Sequence, residues 1–280
     1  MTVTTTDHII ETGTPERVRA RVYRNDAALR AAPLVLHLHG GAFVNGSLEE
    51  GAPIAGLLAE AGAVVVSIEY PLAPLKTFPG PLQSAYQSLA HVYKNRTVFA
   101  GKASPLYVAG EEAGGNLAAA LALMARDQQT PPLAGQILLS PMVDACLATR
   151  SIREAEAGPV GCRWADGWHS YLGSADKASH PYAAPGGATR LGDVPPALVL
   201  TAEDDPMRDE SLRYADQLEH CGVAVTREVL AGPTGWPCIL CGCGNLSAPW
   251  VEETRRQFAS FFAETAGRRM ATPSLQPVRA

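Results

Sequence analysis

The stretch Val108-Ala109-Gly110-Glu111-Glu112-Ala113-Gly114-Gly115-Asn116 decides how the rest of the chain is read. Residues 106–109 (LYVA) form a short apolar run that predicts a buried strand. Glycine at 110, 114 and 115 then allows a sharp turn with close backbone approach. Residues 116–126 (NLAAALALMAR) follow as an Ala/Leu-rich helix, built from the residue types that lose least on becoming helical. A strand, a Gly-flanked turn and a helix have the form of a nucleophile elbow, G-x-S-x-G, which pushes its middle side chain up at the mouth of a sheet. Here the middle residue is Glu112.

Outward from this turn, strand and helix signals alternate. Residues 17–23 (RVRARVY) place Val18, Ala20 and Val22 on one face, as in an antiparallel edge strand. Residues 34–38 (LVLHL) and 63–68 (AVVVSI) are continuous apolar runs, as strands buried on both faces should be. Further strands are expected at 137–139, 197–201 and 224–229, and helices at 54–61, 82–93, 211–221 and 250–265. This alternation predicts an α/β fold with a mostly parallel, doubly wound sheet. Residues 145–194 break the rhythm. They hold Trp164, Trp168, His169 and Tyr171 among many Gly and Pro, between two core strands. They read as a small cap inserted over the C-terminal edge of the sheet, where ligands bind in such folds. The expected organisation is one domain over 1–266 with this insertion, and a flexible tail over 267–280.

Composition limits the partners. With 46% hydrophobic and 18% charged residues in 280, the chain can bury a large core. A net charge of −5 without a basic stripe argues against nucleic acid. The N-terminus MTVTTTDHII lacks the basic and apolar regions of a signal peptide, and no apolar run reaches membrane-spanning length. A soluble, cytoplasmic protein with no membrane partner is expected. Six cysteines are too sparse and too late in the chain for a disulfide framework. Cys238, Cys241 and Cys243 form a C-x-x-C-x-C cluster, but a structural zinc site needs four ligands and only Cys221 could return in space as a fourth. No metal and no cofactor are expected.

A second motif, His39-Gly40-Gly41-Ala42-Phe43, follows the strand at 34–38. Glycines there let backbone N–H groups face a ligand oxygen, as an oxyanion hole requires. Together the two motifs resemble the hormone-sensitive-lipase-like esterases of the α/β-hydrolase fold, with their HGG-[GA] loop and GDSAGGN elbow. The resemblance continues through Glu69-Tyr70-Pro71-Leu72-Ala73-Pro74, through Pro195-Pro196-Ala197 and through Asp205-Pro206-Met207-Arg208-Asp209-Glu210. The last of these matches the segment that carries the family's triad acid. The resemblance implies Asp205 as that acid, and Gly40, Gly41 and the N–H of Ala113 as the oxyanion hole.

Two positions depart from the pattern. The elbow serine is replaced by Glu112. The segment where the family's histidine stands reads Ala231-Gly232-Pro233-Thr234-Gly235-Trp236-Pro237, and no histidine follows His220. Acyl-enzyme chemistry needs a nucleophile and a base to take its proton. A backbone hole alone also suits enolates, so the pattern points to proton transfer beside a carbonyl. In this it resembles the atypical α/β-hydrolase-fold peptide epimerase of bottromycin biosynthesis. That resemblance implies a non-hydrolytic isomerase acting on a peptidyl aspartate or another biosynthetic intermediate, with no cofactor. Two other readings stand beside it: a ligand-binding pseudoenzyme and a residual carboxylesterase.

Glu112 is then a general acid or base, or merely a side chain that fills the serine position and binds backbone donors. The helix N-terminus favours its charge and burial opposes it. Glu111 is expected to point away from the pocket. Asp205, without an imidazole partner, is expected to brace its loop. His39, Phe43, Trp164, Trp168 and Trp236 are the expected substrate-binding residues, with Trp236 blocking the vacated histidine position or stacking on a ligand.

Overall fold

The computed structural model describes residues 2–12, 17–26, 31–155, 159–240 and 248–266; the expected tail at 267–280 lies outside them. The elements run β1 (Val3–Glu11), β2 (Arg17–Asn25), β3 (Leu34–Leu38), α1 (Ala52–Glu60), β4 (Val64–Ile68), α2 (Gly80–Lys94), α3 (Arg96–Phe99), β5 (Leu106–Glu111) and α4 (Ala113–Asp127). They continue with β6 (Gly135–Leu139), α5 (Arg150–Ala155), α6 (Pro159–Leu172), β7 (Ala197–Ala202), α7 (Arg208–His220), β8 (Val225–Leu230) and α8 (Pro249–Thr265). The eight strands form one sheet in the order β1-β2-β4-β3-β5-β6-β7-β8. β1 and β2 are antiparallel, β2 meets β4 antiparallel, and every pair from β4 to β8 is parallel. This is the α/β-hydrolase fold.

The central strands β3 to β7 are buried at every position, which accounts for their largely apolar sequences. Side chains alternate between the two faces. Leu34, Leu36, Leu38 and Val108 pack with Leu82 and Leu89 of α2, Leu117 and Leu121 of α4, and Tyr214 and Leu218 of α7. Val35, Tyr107, Ala109, Ile137 and Leu139 face the other way, against Ile54 and Leu58 of α1 and Phe258, Phe261 and Phe262 of α8.

Two differences from the sequence expectation have plain causes. β1 carries almost no hydrophobic signal, because only Ile10 in it is buried. It is held by nine backbone pairs with β2 and by the Asp7–Arg21 ion pair rather than by apolar burial. α7 begins three residues before the expected 211, its first turn carrying Asp209 and Glu210, which suit a helix N-terminus. Among the described residues no helix is long and apolar enough to cross a membrane.

The elbow is fixed by contact with β3. A Cβ added at Gly114 would lie 1.9 Å from the Leu38 carbonyl oxygen and 2.5 Å from that of His39. The start of α4 therefore touches the backbone of the oxyanion-loop strand, and only a residue without a side chain permits it. On the other side of the elbow, α7 reaches the loop after β6. The Val143 N–H donates to Glu210 Oε1 at 2.9 Å, while Glu210 Oε2 has no hydrogen-bond partner among the described residues. Burial pushes the Glu210 carboxyl well above the usual carboxylate range, with Asp144 and Asp205 adding to the rise.

Gly114→Ala should lower stability by about 3 kcal/mol or more, because backbone has to move. Gly56 in α1 has nothing within 4 Å of a built Cβ, so Gly56→Ala should be neutral or raise stability by about 0.5–1 kcal/mol. Urea unfolding of the two variants checks both signs. A second expectation concerns pH. Glu210 binds its proton more tightly in the folded chain than in the unfolded one, so it costs stability as pH rises above the unfolded value of about 4.3. The stability advantage of Glu210→Gln over the wild type should be flat below that pH and grow above it. Unfolding free energies between pH 4 and pH 8 that run parallel for the two proteins would contradict this.

Candidate active site

The site is built where β3 and β5 end side by side. Glu112 stands between β5 and α4 with φ 53° and ψ −115°, a left-handed conformation that costs a non-glycine residue about 1–3 kcal/mol. Its backbone is held on both sides: its N–H donates to the Leu139 carbonyl at 2.9 Å, and its carbonyl accepts from Met142 N at 3.0 Å. Asn116, one turn into α4, donates to the carbonyls of Met142 and Ala183 at 2.8 and 3.0 Å. The turn is thus clamped to the loop after β6 and to the segment before β7.

The loop after β3 is equally constrained. Gly41 has φ 116°, and a Cβ there would fall 2.1 Å from the Asn45 carbonyl. Ala42 and Phe43 follow at φ 50° and 65°. This run turns successive N–H groups toward one point. The Gly41 and Ala42 N–H groups both donate to Glu112 Oε2, at 2.5 and 2.9 Å.

The other carboxylate oxygen is tied to α6. Trp164 Nε1 donates to Glu112 Oε1 at 2.6 Å, and the Arg163 guanidinium donates to the same oxygen at 2.6 Å. Glu112 is fully buried, whereas the Arg163 side chain is 37% exposed. One carboxylate therefore takes four donors, one of them cationic. Charge-assisted bonds of this kind are among the stronger ones. A carboxylate so satisfied is poorly suited to pulling a proton from a substrate, because it must first surrender those bonds.

Outside it lies a cleft of about 560 Å³, lined by Gly41, Asn45, Leu72, Arg163 and Cys238 among others. Cys238 is an exposed free thiol, 3.8 Å from Arg163. Cys241 and Cys243 lie outside the described residues. Among the described residues no group of three or more His, Cys, Asp or Glu is placed to hold a metal ion.

A second buried array lies behind the loop. Glu111 accepts from Gly40 N at 3.0 Å through Oε1, and its Oε2 lies 2.8 Å from His37 Nε2. His37 Nδ1 lies 2.9 Å from Ser67 Oγ. Ser67, His37 and Glu111 are all fully buried, so they join β4, β3 and β5 as an internal brace.

Several expectations are corrected. The Gly40 N–H is committed to Glu111, so the paired donors are those of Gly41 and Ala42 rather than of Gly40 and Gly41. Ala113 needs no such correction: it follows Glu112 directly as the first residue of α4. Glu111 does point away from the cleft, as expected, but it braces the oxyanion loop from behind through Gly40 N and His37 rather than serving the helix terminus. Trp236, expected to block the vacated histidine position or stack on a ligand, does not line the cleft; it packs edge-on against Trp250 at 5.6 Å, in the core beneath α8. Phe43 is stacked on Tyr171 at 4.0 Å and touched by Trp168 at 5.0 Å, all three buried. His39 is buried against Tyr70 at 4.4 Å, with Nδ1 on the Gly40 carbonyl, and burial lowers its pKa. These aromatic rings build the walls of the site rather than its surface. Trp164 does reach the centre, through its indole N–H.

Asp205 is satisfied without an imidazole. The Ser140 and Thr201 hydroxyls each donate to Oδ2 at 2.5 Å, and Met207 N donates to Oδ1 at 2.8 Å. Burial still pushes its carboxyl up, against the pull of those three donors. Arg163, Ala42, Ser140 and Thr201 were not singled out by sequence. Ala42 carried a signal as the last position of the HGG-[GA] motif, and Arg163 as a cation beside a tryptophan in a segment expected to cover the sheet edge.

Comparison with known proteins agrees with this geometry. A sequence model described as alpha/beta hydrolase fold matches residues 35–234. The carboxylesterase NlhH of Mycobacterium tuberculosis is 36% identical over 221 residues, 74% of this chain and 67% of that protein. A hyperthermophilic esterase from Pyrobaculum calidifontis superposes with a TM-score of 0.80 at 33% identity, over 94% of this chain and 86% of that one. A thermostable esterase from Pseudomonas putida gives 0.82 at 29%, over 94% and 83%. These relatives are named as ester hydrolases, which overturns the expectation of an isomerase that epimerises a peptide. The saturated carboxylate of Glu112 gives the physical reason: it is not a free base. By matched sequence, sheet order and the two loops that meet at Glu112, the chain belongs to the α/β-hydrolase fold family.

Proposed function

We propose that the protein is a carboxylesterase-type hydrolase of residual activity, whose site accommodates a carboxylic ester and turns it over slowly. The observation that carries this reading is the pair of N–H groups, Gly41 and Ala42, converging on one oxygen at 2.5 and 2.9 Å beside an open cleft. The carboxylate oxygen of Glu112 stands where the negative oxygen of a tetrahedral intermediate would stand. Carboxylesterase relatives at 36% identity support the ester as substrate class.

The reaction needs few parts. An ester carbonyl takes the place of Glu112 Oε2 between the two N–H groups. Water adds to the acyl carbon, the carbonyl oxygen becomes negative and is held by the loop, and as the C–O bond breaks a proton of the added water passes to the leaving alkoxide. The products are a carboxylic acid and an alcohol. A hole and a binding cleft without a nucleophile–base pair still accelerate acyl transfer about 10³-fold over water. Glu112 competes for that hole, so the wild type falls below this figure.

Turnover of p-nitrophenyl acetate tests the reading. The wild type should exceed buffer by less than about 10³-fold, and Glu112→Ala, which clears the hole, should be about ten-fold faster than the wild type. A second reading, a ligand-binding pseudoenzyme, is favoured by the full burial of Glu112 under four donors. If neither protein exceeds buffer while an uncleaved ester analogue binds saturably, the esterase reading fails and the binding reading replaces it.

A further inference from the structure

The four groups that hold Glu112 come from outside its own helix. Gly41 and Ala42 belong to the loop after β3, and Arg163 and Trp164 to α6. One oxygen sits between two backbone N–H groups, and the other faces an indole N–H and a guanidinium. This is a complete cradle for a carboxylate, with two donors on each oxygen and a cation to balance the charge. The guanidinium also lines the cleft, so the cradle adjoins solvent-accessible space.

We propose that this cradle is a monocarboxylate-binding site, and that Glu112 fills it as a built-in mimic of the carboxylic acid that ester hydrolysis releases. The proposal rests on reading the Gly41 and Ala42 N–H groups as the oxyanion hole. It goes further in naming the ligand class of the whole site and in assigning Arg163 and Trp164 to ligand binding. The chain is in this sense inhibited by its own side chain. An external carboxylate or an ester enters only when Glu112 leaves the cradle or is removed.

The geometry also sets a size preference. Glu112→Ala keeps Cβ and removes Cγ, Cδ and the two oxygens. Those four heavy atoms are the skeleton of acetate. Acetate should therefore refill the truncated side chain with all four donors engaged. Butyrate carries two further carbons that meet the remaining Cβ, so it should bind less well. Acetamide has the same shape but replaces one acceptor oxygen with a donor that faces Arg163 and Trp164. It should not bind.

Thermal unfolding of the full chain with added sodium acetate, sodium butyrate, acetamide or sodium chloride reads this out. Glu112→Ala should melt about 5–10 °C below the wild type, because four donors lose their acceptor. Acetate at ten times its dissociation constant should return about 3–6 °C of that loss, with butyrate less effective and acetamide no better than chloride. The wild type should respond to acetate no more than to chloride. A Glu112→Ala protein that melts with the wild type, or that gains nothing from acetate beyond chloride, overturns the proposal. Should Glu112→Ala fail to fold, Glu112→Gln keeps the shape and decides the matter: it should melt below the wild type and gain nothing from acetate, and a melting point equal to the wild type overturns the proposal. Ester turnover separates this inference from the esterase reading. Acetate rescue without turnover leaves the carboxylate site standing and ends the esterase reading. Turnover by Glu112→Ala that acetate neither slows nor stabilises ends the carboxylate site and leaves the esterase reading intact.

Discussion

The carboxylate of Glu112, lodged between the Gly41 and Ala42 N–H groups on one side and Arg163 and Trp164 on the other, is the contact through which the parts of the site hold one another. It ties the elbow after β5 to the loop after β3 and to helix α6 of the segment between β6 and β7. A buried carboxylate is costly unless it is paired and hydrogen-bonded, and here every cost of burial is met by a donor. The strained backbone at 112 persists because the surrounding chain over-determines it: Gly114 lies against β3, and Asn116 clamps two loops.

A second carboxylate one residue earlier does the complementary work. Glu111 takes the Gly40 N–H from behind the loop and joins His37 and Ser67 in a brace across three strands. The two adjacent glutamates thus grip consecutive N–H groups of the same loop from opposite sides. Glu111 holds the loop in place, and Glu112 occupies what the loop offers. Asp205 shows the same economy at the remaining position of a hydrolytic site. Ser140 and Thr201 supply the donors that an imidazole would otherwise supply, and the carboxylate stays buried and braced.

Much of this was legible in the residues. The largely apolar runs at 34–38, 63–68 and 106–109 announce buried parallel strands, and the spacing of Gly110, Gly114 and Gly115 announces the elbow. These are local signals, set by side-chain size and period. What stayed hidden was non-local. Which N–H of the loop turns inward depends on the φ angles of Gly41 and Ala42 and on Glu111, which takes the Gly40 N–H from 71 residues along the chain. Arg163 meets Glu112 only because α6 folds back over the sheet edge, 51 residues along the chain. Trp236 was placed near the mouth by its position in a motif, yet its partner Trp250 draws it into the core under α8.

The central claim is that the oxyanion loop is already occupied by the chain's own carboxylate. A crystal structure of the wild-type protein grown in excess acetate tests it most directly. Glu112 Oε2 should lie within hydrogen-bond distance of Gly41 and Ala42 N, with no acetate between them. Acetate bound to those two N–H groups, with the Glu112 side chain turned out into the cleft, would contradict it.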